Sequence, residues 1–143
     1  MIEPETKAGY PCWATETIRY CDTDRQGHVN NAVFATLLET GRVPFLLSRE
    51  RPILTAGTAF VIARLAIDFK SELNWPGTAE VGTRVRRIGT SSMTLEQAIY
   101  QNGVCAAMAE TVIVAMDETT RRSCPLSPVA VARLTEVMAG DAG

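Results

Sequence analysis

Residues 21–34, CDTDRQGHVNNAVF, gather two aspartates, the chain's only histidine and two adjacent asparagines into one short stretch. The residues before it alternate. In ATETIRYC (14–21), Ile18 and Tyr20 fall on one face and Arg19 and Cys21 on the other, the spacing of a strand with one buried face. The residues after it repeat differently: Phe34, Leu37, Leu38, Gly41, Phe45 and Leu46 recur at helical spacing. This predicts a helix over roughly 31–49, with Pro44 bending or interrupting it near its end. Asp, Gly and Asn in between are turn formers, and Asn30 or Asn31 can cap the helix by accepting a free first-turn N–H. The polar cluster therefore sits where a strand stops and a helix starts.

Working outward, Pro52 and Gly57 mark a connection, and four extended segments follow at 59–72, 79–89, 91–103 and 104–117. In the first, Phe60, Ile62, Arg64, Ala66 and Asp68 alternate with Val61, Ala63, Leu65, Ile67 and Phe69. Val81, Thr83 and Val85 point inward in the second, and Met93, Leu95, Gln97 and Ile99 alternate in the third. The Asn-Gly pair at 102–103 predicts a tight hairpin between the last two. Ser127 followed by Pro128 opens a short helix over roughly 128–138. The order strand, long helix, four strands, short helix implies an α+β domain, a sheet of about five antiparallel strands curled around one apolar helix. Val33, Leu37, Gly41 and Phe45 are expected to need cover on most sides, and the sheet edges to offer a dimer surface.

A chain of 143 residues is expected to form one domain over 1–143, with 1–13 an irregular arm rich in Pro and Gly. The net charge of −2 argues against a nucleic-acid-binding surface. Arg84, Arg86 and Arg87 read as a solvated strand face. The N-terminus lacks the basic and apolar regions of a secretory signal, and no apolar stretch approaches the ~20 residues that span a bilayer, so a soluble cytoplasmic protein is expected. Cys12, Cys21, Cys105 and Cys124 form no C-x-x-C pair and are expected to stay reduced, Cys21 as a small strand residue.

The chemistry of 22–31 follows from its position. First-turn amides of a helix lack intrahelical partners and carry partial positive charge, so they can hold a carbonyl oxygen that becomes negative under attack. Asp24, folded back by a turn at Gly27, could attack that carbonyl or take a proton from water. This suits hydrolysis of an activated ester or thioester, since a thiolate leaves without a strong general acid.

RYCDTDRQGHVNNAVFATLLETGR (19–42) closely resembles the opening motif of the hotdog-fold acyl-CoA thioesterases of the 4-hydroxybenzoyl-CoA thioesterase-like group, and the resemblance extends over roughly 14–135. It implies that Asp24, second of the D-x-D pair, is the catalytic carboxylate, and that a backbone N–H at Asn31 or a neighbour polarises the thioester carbonyl. His28 matches a position that is His in some members and apolar in others, and would orient Asp24 or the substrate. The resemblance also implies a homodimer or dimer-based homotetramer with coenzyme A across the interface. Arg64 and Lys70 would then contact the nucleotide phosphates, with Asn30 among the substrate-binding residues. The coenzyme A thioester is the substrate, and no cofactor or metal is expected.

Other residues have plainer readings. Asp22 reads as a loop hydrogen-bonder, Glu39 and Arg42 as a helix-surface ion pair or a reach to a partner subunit, and Ser91 and Ser92 as structural. Phe34, Phe60 and Met93 are expected to shape the acyl pocket. Three rival functions use the same residues: a metal hydrolase on Asp22, Asp24 and His28, a dehydratase, and a non-catalytic acyl-CoA or acyl-carrier-protein binder.

Overall fold

The computed structural model describes residues 9–138. Strand β1 is Cys12–Ile18 and helix α1 is Asn31–Leu46. Strands β2 (Thr58–Phe69), β3 (Gly77–Ile88), β4 (Ser92–Gln101) and β5 (Val104–Asp117) follow, and helix α2 (Pro128–Glu136) is the last element among the described residues. The strands form one antiparallel sheet in the order β1-β3-β4-β5-β2, with α1 packed on β1 and β3, the expected hotdog arrangement.

The inner face is what alternation dictates. Val81, Val85, Leu95, Ile99 and Ile113 are buried there, each worth roughly 1.5–3 kcal/mol of burial. They divide into two clusters. One gathers Ile18, Val29, Phe34, Leu37, Leu38, Leu73 and Val81 under the first half of α1. The other gathers Leu46, Ile53, Val85, Met93, Leu95 and Leu134 under its end and α2. At the seam, Gln97 donates from Nε2 to the Leu38 carbonyl (2.9 Å) and to Thr83 Oγ1 (3.0 Å), tying the sheet to the helix. Gly41 sets the approach of α1 to β3, because a Cβ there would overlap the Val81 side chain.

Several boundaries differ from the sequence reading. β1 begins at Cys12, inside the expected arm, because Cys12 and Trp13 pair with Thr83 and Gly82; residues 1–8 of that arm lie outside the described residues. β1 ends at Ile18, and Tyr20–Asp22 form a single 3-10 turn that leaves Cys21 and Tyr20 exposed, Tyr20 by 72%. The turn forms because Asp22 folds back onto Arg19. Helix α1 runs through Pro44 to Leu46, where Leu47 caps it. Its covered stripe is Phe34, Leu37, Leu38, Gly41, Arg42 and Leu46, while Thr36, Glu39, Thr40, Val43 and Pro44 are exposed, so the sheet covers one side of the helix rather than most. Arg42 lies one turn after Leu38 on the covered stripe and is only 4% exposed. It is not the surface partner of Glu39; burial pushes its guanidinium down from the ordinary arginine value, and Glu39 opposes that.

The Asn-Gly hairpin is as expected, with positive φ at both Asn102 (53°) and Gly103 (79°). Ser127 caps α2 by accepting the Ala130 N–H (3.0 Å), with Pro128 at the first position. The Arg84–Arg87 patch is only partly free. Arg84 and Arg86 share Glu96 (2.8 and 2.9 Å), and Arg84 lies over the Tyr10 ring. No helix among the described residues is long and apolar enough to cross a membrane.

Candidate active site

The loop between β1 and α1 is held at both ends by Asp22. Its carboxylate accepts the Arg19 backbone N–H (2.8 Å) and Arg19 Nη2 (2.8 Å), and its carbonyl accepts the Asn30 N–H (2.9 Å). Hydrogen bonding from the Arg19 side chain holds this carboxyl below the usual carboxylate value; burial works against that, and the Arg19 backbone N–H and charge add to it. Asp22 is therefore the loop hydrogen-bonder expected, only 3% exposed and committed to Arg19.

Inside that clamp the chain makes a small loop of its own. Asp24 donates its N–H to the His28 carbonyl (2.8 Å), and its own carbonyl accepts the Gly27 N–H (3.0 Å). Gly27 takes a positive φ of 84°, which a side chain would disfavour. The Asp24 carboxylate accepts the Gln26 N–H through Oδ1 (2.8 Å), a contact that leaves Oδ2 outside this bond. The carboxylate is exposed on a single chain.

The helix start is equally specific. Asn30 is the N-cap: its Oδ1 accepts the Ala32 N–H (2.8 Å) and its carbonyl accepts the Val33 N–H (2.9 Å). With those first-turn donors occupied, the Asn31 N–H is left as the one that helix geometry does not serve. Asn30 thus spends its side chain on the helix, and it does not line the cleft described next.

A second segment completes the site from far along the sequence. Val29 donates to the Leu73 carbonyl (2.9 Å), and His28 pairs with Asn74 as an isolated bridge. Gln101 of β4 clamps Asn74 in turn, donating from Nε2 to its carbonyl and accepting its N–H through Oε1, both at 2.9 Å. This brings Lys70, Ser71 and Glu72 against the loop. His28 Nε2 lies 3.2 Å from Glu72 Oε1.

Between the two segments is a cleft of about 350 Å³. Asp24, His28, Asn31 and Lys70 all line it. Phe34 and Phe69 form part of its wall as an edge-to-face pair with centroids 5.0 Å apart. Arg64 is not in this cleft. It lies six residues along the chain from Lys70, about 20 Å of strand, paired with Glu110 (2.9 Å), and lines with Lys70 a separate cleft of about 640 Å³ on the outer face. Phe60 and Met93, expected as pocket residues, belong to the core cluster under α2 and are absent from the cleft lining. Gln26, Phe69, Ser71 and Glu72 line it and were missed, 69–72 because non-local ties at Leu73 and Asn74 bring them there. The D-x-D-x3-H set is not assembled as metal ligands, since the Asp22 carboxylate is committed to Arg19.

Residues 18–134 match the thioesterase-like superfamily, and the chain belongs to that family. A search of the curated proteins finds no match to this sequence. Among solved structures, the chain is similar to a predicted thioesterase from Bacillus stearothermophilus, with 28% identity, a TM-score of 0.79, and 92% of this chain and 98% of that one covered. It is similar to a thioesterase complexed with coenzyme A and Zn from Thermus thermophilus, with 28% identity, a TM-score of 0.78, and 94% and 98% covered. A Pseudomonas aeruginosa protein shares the fold at 22% identity, with a TM-score of 0.85 and 95% and 97% covered.

Proposed function

We propose that the protein is an acyl-CoA thioesterase, hydrolysing an acyl-CoA to the free acid and coenzyme A. One observation carries this reading: the Asp24 carboxylate and the free amide end of α1 line the same cleft. Membership of the thioesterase-like superfamily and the coenzyme A held by the Thermus thermophilus relative support it.

The thioester carbonyl oxygen lies at the Asn31 N–H, where the helix end stabilises the negative charge that forms. The Asp24 oxygen not held by Gln26 either attacks the carbonyl carbon or takes a proton from a water that does. In both routes the carbon–sulfur bond breaks, the electron pair leaves on the coenzyme A sulfur, and the thiolate is protonated from solvent. A direct attack leaves an anhydride at Asp24 that water then opens. His28, held by Glu72, orients the loop or substrate, and Lys70 meets the anionic part of coenzyme A. Arg64, out on β2, would contact only its distal phosphates. The working form is a homodimer or dimer-based homotetramer, which would cover the exposed carboxylate and the unpaired edge of β2.

The test is turnover on a panel of acyl- and aroyl-CoAs followed with a thiol reagent. Release of coenzyme A that is lost in a folded Asp24→Asn variant supports the reading. Tight binding without turnover in the unaltered protein would assign it to a non-catalytic binder instead.

A further inference from the structure

A second cleft, of about 330 Å³, lies at the other end of α1, roughly 20 Å along the helix from Asn31. Trp13, Phe45, Ile53 and Val137 supply apolar wall, and Arg51 and Arg133 stand on it with Glu136. The charges there do not balance. Glu136 is shared, its Oε1 bonded to Arg51 Nη2 and its Oε2 only 3.6 Å from Arg133 Nη1. Two guanidiniums thus face one carboxylate. Arg133 is the under-used one: its Nε is buried without a hydrogen-bond partner among the described residues. The Arg133 side chain as a whole is one-third exposed, so its terminal nitrogens can take a second carboxylate, which a guanidinium fork is shaped to grip.

We propose that this cleft is a binding site for a small amphiphile carrying one carboxylate, such as a medium-chain acid. The carboxylate sits beside Arg51 and Arg133, and the tail lies against Trp13, Phe45 and Val137. The charge excess selects the head group and the apolar wall selects the tail. The site is separate from the Asp24 cleft and does not depend on the reaction proposed there.

Octanoate is the probe, and Trp13 is the reporter in a Trp75→Phe background, which removes the only other tryptophan. A saturable change in Trp13 fluorescence is expected, at least tenfold weaker in Arg133→Gln and in Arg51→Gln. Octanol, with the same tail and no charge, should bind at least tenfold less tightly than octanoate. Ser48→Phe fills the cleft, at the loss of the Arg51 N–H bond to Ser48 Oγ (3.1 Å), and should abolish the change, whereas Asp24→Asn should leave it intact. The proposal is overturned if octanol matches octanoate or if folded Arg133→Gln and Ser48→Phe bind normally. Loss of binding in Asp24→Asn, or no saturable change at all, overturns it as well. So does quencher protection of Trp13 that follows protein concentration but not octanoate, since that assigns the face to a second copy of the chain.

Discussion

Asp22 and Asp24 stand two residues apart and do opposite work. Asp22 gives both carboxylate oxygens to Arg19 and locks the loop, while Asp24 keeps one oxygen outside its bond to Gln26. The pH consequence belongs to Asp22. Its folded value is depressed, so the stability it adds is fully present above its unfolded value near about 4 and is lost as pH falls through the folded value. Melting scans should therefore show Asp22→Asn less stable than the parent at neutral pH, with the gap closing below pH about 4. An unchanging gap would mean the carboxylate charge does not matter. At Asp24 the chemistry itself is at stake. If it is the nucleophile and water opens the anhydride at the Asp24 carbonyl, a single turnover in heavy-oxygen water leaves the acid unlabelled and puts the label in the Asp24 carboxylate; if it is the general base, the label enters the acid in the first turnover and never the carboxylate.

At the scale of elements, α1 presents its amide end only because its start and its approach to the sheet are both fixed. Asn30→Ala removes the cap on the Ala32 N–H and should lower stability by about 1 kcal/mol in denaturant titrations. It should also lower kcat, since the first turn carries the Asn31 amide. Gly41→Ala forces a methyl group into Val81 and should cost about 1–3 kcal/mol despite the gain in helix propensity. Unchanged stability in that variant would show that α1 can retreat from β3. These elements were legible where the signal is local. The alternation in β3 and β4, the Asn-Gly turn and the Ser-Pro helix start are each read from neighbouring residues. The end of β1 was not legible, because alternation continues through Tyr20 and only the Asp22 fold-back onto Arg19 ends the strand. The inward turn of Arg42 defied its charge, since its place on the stripe with Leu38 decides its burial.

For the whole molecule, the site is a product of topology. The sequence motif placed Asp24, His28 and Asn31 together, but Phe69, Ser71 and Glu72 reach them through non-local contacts: the Val29–Leu73 bond, the His28–Asn74 bridge and the Gln101 clamp. No pattern within 69–74 announces that neighbour, and none in β2 or β4 says that Phe60 and Met93 pack under α2 rather than in this cleft. β1 and β2 are left as sheet edges, and β2 exposes Val61 and Ile62. Sedimentation should give at least twice the mass of one chain, and Ile62→Lys should shift it toward the monomer with loss of activity; an active monomer would contradict the proposed assembly. The most direct measurement of the central claim is turnover of an accepted acyl-CoA by Asp24→Asn, with folding checked by circular dichroism. A fall in kcat of about 100- to 10,000-fold is expected with the fold unchanged. A folded variant that still hydrolyses at the parent rate would contradict the account.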